Sequence, residues 1–390
     1  MKRYYSLDVF RGFTVAFMMM VNNQMGKTYE PLDHAAWHGL TPTDLVFPFF
    51  LFAVGNALSF VMPRLQQAGT KAFLIKVIKR TLLIYAIGLF LNWMPFLRYA
   101  HGELVFKKWE WVNDNGLPNG VRVMGVLPRI ALAYFFASLI LYFCKPRTAI
   151  IISFVLLFGY WAMCYFLGDP AAPYSLEGYF GTAIDINLFG EAHLYHGEGV
   201  AFDPEGLTST MPAIVSVIAG YFAGKYIQQK GKDYEMLSKI FLVSFALLFA
   251  GYCWDMYFPV NKKIWTSSYV LVAAGFAIIS LGIFIYAIEF KNFKGAWSKF
   301  FDVFGKNPLF IFVLSGFVPR VLGLIRIPSG LNDDGTTHFV SPFYWFYEHF
   351  CKSITCQHEK SASVLFSLIL LAFYWLIGYV LDRRKIYIKV

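Results

Sequence analysis

The chain has little charge. Of its 390 residues only 15% are Asp, Glu, Lys or Arg, against 57% hydrophobic and 19% aromatic, where a soluble domain carries roughly 25% charge. So few charges cannot cover a water-facing surface, and the apolar residues come in long blocks. Both facts point to lipid as the solvent. Several signatures of soluble chemistry are also missing: no Gly-rich loop ahead of a Lys, no HExxH, no paired CxxC and no Gly-x-Ser-x-Gly elbow. No nucleotide-hydrolase domain is present to power a pump. Low-complexity linkers and clear repeats are absent too.

Cysteine is scarce and scattered. Cys144, Cys164 and Cys253 fall in or at the ends of apolar runs and read as buried small residues. Cys351 and Cys356 share one polar loop and could pair if that loop faces an oxidising compartment. His349 and His358 beside them supply too few ligands for a metal, so no metal is expected.

What is present is a series of apolar runs. A span needs about 20 residues, and ten candidates lie near 9–22, 44–62, 74–95, 124–144, 148–167, 208–228, 238–257, 265–289, 303–324 and 363–382. The expected fold class is an all-α polytopic membrane protein of about ten transmembrane helices. No small-residue cleavage site follows the first run, so it reads as a retained helix. The aromatic stretch 341–351 is too short to span and reads as an interfacial helix within an outer segment 325–362.

Net charge is +10, and its placement orients the chain. With the N-terminus inside, the inner loops hold 20 of the 34 Lys and Arg. Segment 168–207 holds none, yet carries Asp169, Glu177, Asp185, Glu191, Glu198, Asp203 and Glu205. A basic inside and an acidic outer loop fit ten spans with both termini cytoplasmic. The basic excess is thereby explained without nucleic acid as a partner. Inner loops are short and outer ones long and polar, which puts recognition or chemistry on the outer side.

Polar groups near the spans need a reason. Asp8 and Arg11 share a helix face. Asn22 closes the first span, Asp44 opens the second, and His34 lies in the loop between. An ionisable group in lipid costs about 2.5–3.5 kcal/mol on insertion scales. Asp44 is therefore either an N-cap, with Thr41 and Thr43 as rivals, or a partner for His34. A His exchanges protons near neutrality, and a carboxylate on one ring nitrogen would orient it. His38, in the same loop, competes for that role. Arg129, inside the fourth span, and Arg122 before it want bidentate anions, either an acid of the chain or a phosphate. Asn261-Lys-Lys-Ile-Trp-Thr-Ser-Ser opens the eighth span, Asp203-Pro-Glu-Gly-Leu-Thr-Ser-Thr the sixth, and Asn307 lies early in the ninth. Each could be a cap. Together they are enough to line a cavity.

Several of these blocks resemble the heparan-alpha-glucosaminide N-acetyltransferase family. They are Ser6-Leu-Asp-Val-Phe-Arg-Gly, Val21-Asn, His34-Ala-Ala-Trp-His-Gly-Leu-Thr-Pro-Thr-Asp-Leu-Val-Phe-Pro, Arg122-Val-Met-Gly-Val-Leu-Pro-Arg, Phe202-Asp-Pro-Glu-Gly-Leu, Asn261-Lys-Lys-Ile-Trp-Thr-Ser-Ser and Gly305-Lys-Asn. They run in family order from Ser6 to the Arg-Arg-Lys tail. The resemblance implies one transmembrane acyltransferase domain over 1–390 that moves an acetyl (acyl) group from cytosolic acetyl-CoA, with no metal, to an amino sugar or glycan across the membrane. It implies His34, rather than His38, as the catalytic residue, with Asn22 and Asp44 beside it; one inserted residue leaves Asn23 as a rival for Asn22. Under that reading Arg122, Arg129, Lys262, Asn261, Trp265 and Ser267 would hold the donor, and Asp203, Glu205 and Asn307 the acceptor. Pro128 stands where the family commonly has Gln. The animal enzyme's N-terminal lumenal domain and extra span have no counterpart here, so the chain looks like a bacterial relative of the inner (cytoplasmic) membrane. Expected partners are acyl-CoA, the acceptor and the bilayer, with a homodimer left open. The rival reading is a sugar or anion transporter without chemistry, for which intramembrane Arg and Asn serve equally well. A structural envelope partner is a third.

Overall fold

The structure, a computed structural model, describes residues 4–100, 102–113, 116, 118–331 and 336–388. Lys2, Arg3 and Lys389, which enter the inner charge count, lie outside them. The chain is mostly helical, and the apolar runs are where the helices form. In order they are α1 (Tyr5–Asn22), α2 (Val46–Ala68), α3 (Thr70–Trp93), α4 (Val126–Phe143), α5 (Pro146–Leu167), the short α6 (Phe180–Phe189), α7 (Thr210–Lys230), α8 (Tyr234–Asp255), α9 (Ser267–Ile285), α10 (Ala296–Lys306), α11 (Pro308–Leu322), α12 (Pro342–Phe346), α13 (Lys352–Ile354) and α14 (Glu359–Arg383).

Local chemistry sets many ends. Pro146 and Pro308 stand at first helical positions, where a missing N–H costs nothing. The Thr266 side chain accepts from the Tyr269 N–H at the start of α9, and the His358 ring accepts from the Ser361 N–H at the start of α14. Three antiparallel hairpins join the helices: β1 (Leu97–Ala100) with β2 (Glu103–Phe106), β3 (Glu110–Val112) with β4 (Pro118–Gly120), and β5 (Ile327–Leu331) with β6 (Thr337–Val340).

Among the described residues, seven helices are long and apolar enough to cross a membrane. The pair α10–α11, bent by 78° at Asn307, makes an eighth if it is one span. The two other runs predicted as spans, 9–22 and 74–95, do form α1 and α3. They fall short in apolarity because α1 carries Asp8 and Arg11, and α3 carries Lys71, Lys76, Lys79 and Arg80. The chain is a multi-pass membrane protein.

The bundle is built around α2 and α7, which pack along their length, with α4 and α9 against the same pair. The backbones approach closely enough that a methyl group on Gly55 would strike the Val217 carbonyl, and one on Gly220 the Phe52 carbonyl. Without a hydrophobic drive between helices in lipid, such small-residue contact is what lets them associate. α8 covers α9, α3 covers α4, and α1 packs on α10 and α14. The region 341–354 is helical and exposes Tyr344, Trp345 and Phe350. Cys351 is buried and Cys356 exposed, both as free thiols.

Candidate functional site

The helices α2, α4, α7 and α9 begin at one end of the bundle. Their N-termini carry partial positive charge and unsatisfied N–H groups. The loops feeding them bring charged side chains into the same place.

The turn Pro42–Leu45, ahead of α2, places Asp44 there with 1% exposure. Asp44 Oδ1 lies 2.7 Å from His34 Nδ1. Its Oδ2 accepts from the N–H of Thr41 at 3.0 Å, of Ala35 at 3.2 Å, and from Thr41 Oγ1 at 3.1 Å. Of the two readings of Asp44 the partner one matches: Thr41, its rival, is the N-cap, and Asp44 is the acid three residues on that completes the capping box. One oxygen organises the loop and the other orients His34. Asp44 also presents its carbonyl to the Tyr269 hydroxyl at 2.7 Å, which ties α9 to α2.

Lys262 completes this group. Its Nζ lies 3.0 Å from His34 Nδ1, 3.2 Å from Nε2 and 3.6 Å from Asp44 Oδ1. Since Nδ1 faces Asp44, the coherent tautomer donates from Nδ1 to the carboxylate and leaves the Nε2 lone pair free, with Lys262 against the ring near both nitrogens. Burial pushes the Lys262 ammonium down from its ordinary value, and the Asp44 charge opposes that. Glu205 opposes it as well, so Lys262 links this group to a second one.

In the second group Arg122 forms a fork on Asp203, Nε to Oδ2 at 2.8 Å and Nη2 to Oδ1 at 2.6 Å, and also bonds Glu205. Burial opposes the Arg122 charge, but the two carboxylates more than offset it and push its pKa up. The same pairing holds Glu205 below its usual range despite burial. Arg129, fully buried on α4, uses one nitrogen for Ser209 and the Gly206 carbonyl and lies over the Trp265 ring at 4.9 Å. Its Nε and Nη1, and Trp265 Nε1, have no acceptor. Three orphaned donors in one buried spot ask for an oxygen from outside the chain. Trp265 is held there at a positive φ of 52°.

The remaining sequence candidates sit elsewhere or face inward. Asn261 is fully buried. Its Oδ1 accepts from the Ile264 N–H at 3.0 Å, and its amide meets His38 Nδ1 at 3.3 Å. His38 stays exposed, and the partial burial it has lowers its pKa; it lies outside the Asp44 group. Ser267 Oγ donates to the Leu157 carbonyl at 2.7 Å and is fully buried. Asn22 ends α1 with its side chain exposed, and no polar contact joins it to His34. Its neighbour Asn23 caps the Met19 carbonyl at 2.7 Å. Asn307 is at the far end of α1 from His34, binding the tail through the Ile386 carbonyl and Ile388 N–H at 3.1 and 2.8 Å.

Four participants carried no sequence signal of their own. Tyr269 is one aromatic among many in an apolar run. Ser209 holds Arg129 from a helix start. Glu198 pairs with Lys263 at 2.6 Å, which in turn bonds the Ala36 carbonyl at 2.8 Å and so fastens the His34 loop. Asp185, 1% exposed, accepts from the Leu207 N–H at 3.1 Å, and burial raises its pKa to about 7. Among the described residues, no group of three or more His, Cys, Asp or Glu could hold a metal.

Sequence comparison bears on this arrangement. Human heparan-alpha-glucosaminide N-acetyltransferase is 28% identical in an alignment of 445 positions that takes in 99% of this chain. The mouse enzyme of the same name is 26% identical over 98%. The chain is a homologue of these acetyltransferases. It spans 59% and 60% of their own length. No protein-family model matches it.

Proposed function

We propose that the chain is a membrane acyltransferase that moves an acetyl or related acyl group from an acyl-CoA to an amino sugar or glycan. The observation that carries this is the 2.7 Å His34–Asp44 pair, whose free ring nitrogen faces a half-exposed space beside a buried, unsatisfied Arg129. An attacking amine must lose a proton, and a positioned base contributes typically 10²–10⁴-fold. His34 Nε2 takes that proton while Asp44 holds Nδ1–H and stabilises the resulting cation.

Arg122 is already committed to two carboxylates, so its role is to hold the strap 203–209 over α4. Arg129 and Trp265 offer the unused donors, which suit a single acyl or phosphate oxygen. Lys262, when charged, steadies Asp44 and Glu205. Asn22 and Asn307 would enter only if the first loop or the bent pair rearranged, and Asp203 and Glu205 shape the acceptor side through Arg122.

In the same reading α1 and α3 also cross the membrane. At 1.5 Å per residue their 18 and 24 residues run about 27 and 36 Å, against a hydrocarbon core of about 30 Å. Ten crossings put both termini in the cytoplasm of a bacterial inner membrane and His34 on the opposite side. The donor then has to reach across most of the bilayer through the protein.

Purified protein given acetyl-CoA and glucosamine should release free CoA, and His34→Ala should stop it while the protein still folds. Equal release by His34→Ala sinks the assignment of His34. Sugar movement into vesicles without CoA release would favour a transporter.

A further inference from the structure

Five cations gather where α3 and α11 end. They are Arg98 in β1, Lys107 and Lys108 after β2, Arg320 in the last turn of α11, and Arg326 before β5. Among the described residues none of the five has a carboxylate at ion-pair distance. Around His34 the opposite holds: Arg122, Lys262 and Lys263 each have an acid.

Arg98, Lys107, Arg320 and Arg326 belong to one built surface, with Lys108 next in the chain. Tyr99 OH donates to the Leu324 carbonyl at 2.9 Å, and the Arg326 guanidinium lies 3.3 Å over the Tyr99 ring. Arg98 and Lys107 face Trp111 at 5.7 and 5.1 Å. Lys107 Nζ donates to the Asn92 carbonyl at 3.1 Å, in the last turn of α3. Arg98 Nε is buried with no acceptor. Burial and the like charge of Arg320 together lower the Lys107 pKa. With no acid at ion-pair distance among the described residues, these cations are open to an anion.

Depth identifies the anion. Asn92 and Arg320 are in final helical turns, so the cations sit where spans meet lipid headgroups. Below them the flank of α3 exposes Leu82, Leu83 and Phe90; beside them the hairpins expose Leu104, Phe106 and Leu331. Apolar flank, aromatic rings and cations in that order match the layering of a bilayer surface.

We propose that Arg98, Lys107, Arg320 and Arg326 form a binding site for the headgroup of an anionic phospholipid, with its acyl chains along α3. The site adjoins the chemistry, because Asn92 Nδ2 donates to the carbonyls of Arg122 and Met124 at 2.9 and 2.8 Å. A bound headgroup therefore braces the segment that carries Arg122. The inference rests on membrane insertion and needs no acyl transfer.

The test is native mass spectrometry of the full chain in detergent, titrated with phosphatidylglycerol and, separately, phosphatidylcholine of the same chains. Each cation at an anionic surface is worth roughly fivefold in binding. The pair Lys107→Gln/Arg320→Gln should therefore weaken phosphatidylglycerol binding about 25-fold and leave phosphatidylcholine unchanged. Arg98→Gln/Arg326→Gln should do the same, and carries the test if the first pair misfolds. Lys230→Gln/Lys232→Gln, at the other end of α7, should change nothing. Equal phosphatidylglycerol binding by wild type and both pairs overturns the proposal. So does displacement of the lipid by an equal concentration of a soluble phosphorylated sugar. Binding is read without turnover, so a chain inactive toward acyl-CoA leaves the result standing.

Discussion

Lys262 Nζ lies 3.2 Å from His34 Nε2, the ring nitrogen that Asp44 leaves free. At 3.0 Å it is as near to Nδ1, so the lysine sits against the ring beside the lone pair that a general base would use, and an entering amine has to displace it. Displacement is easier once Lys262 is uncharged, while the charge itself steadies Asp44 and Glu205. Burial lowers the Lys262 pKa below its ordinary value, so charge is lost as pH rises through that lowered value. Turnover should therefore rise with pH through an inflection below the usual lysine range, and Lys262→Arg, which stays charged, should erase that rise. A pH profile unchanged by that substitution rules out Lys262 as its source.

The His34–Asp44 pair sets a hierarchy among neighbours. His34→Ala should lower turnover by about 10²–10⁴-fold or more. Asp44→Asn keeps the volume but removes the acceptor that fixes the tautomer, and should cost a similar factor. His38→Ala should cost less than about tenfold, since His38 meets Asn261 and Trp37 and lies outside the Asp44 group. Single-turnover rates on the three variants rank them, and a loss at His38 equal to that at His34 removes the distinction.

Much of this was legible in the sequence, and the gaps have physical causes. Spans are written as long apolar runs, so most helices appear at the predicted places; the ninth run, 303–324, is instead broken at Asn307 with a 78° bend, and charges at 8, 11, 71, 76, 79 and 80 leave α1 and α3 less apolar than the rest. Asp44 and His34 stood out because ionisable groups are costly in lipid. Their contact was not readable from spacing, since ten residues of loop had to fold back. Arg122 looked equally suited to a phosphate or an internal acid, and only the fold brings Asp203 within 2.6 Å. Asn261 and Ser267 had polar side chains at a helix start, and both turned inward to satisfy backbone groups. Tyr269 and Ser209 were invisible because their roles are tertiary.

The Arg122 fork should behave as a buried ion pair. Asp203 is 2% exposed, so Arg122→Met strands a buried carboxylate, at a cost of about 3–5 kcal/mol. Replacing both members of the fork, Arg122→Met with Asp203→Leu, should recover part of that loss, because two desolvated charges vanish together while Glu205 is left without its arginine. Thermal unfolding in detergent measures all three proteins. If the double variant is as unstable as the sum of the single ones, the pair is not coupled as described.

Asp185 gives the strap a pH dependence of its own. Burial raises its pKa to about 7, with the Asp203 charge adding to the rise and the Leu207 N–H opposing it. A carboxyl whose folded pKa lies above its unfolded value, about 3.9, favours folding when protonated. Its contribution is complete below about pH 4 and is lost as pH climbs through about 7. The groups facing it are Asp203, which repels the ionised form, and Arg129, which attracts it. Loss of the proton should loosen 203–209, the segment that holds both Arg122 and Arg129. Unfolding temperature should fall by several degrees between pH 5 and pH 8, and hydrogen exchange at 204–209 should quicken over the same range. Asp185→Asn, which cannot ionise, should flatten both responses. The same pH slope in wild type and in Asp185→Asn would show that the strap is governed by some other group.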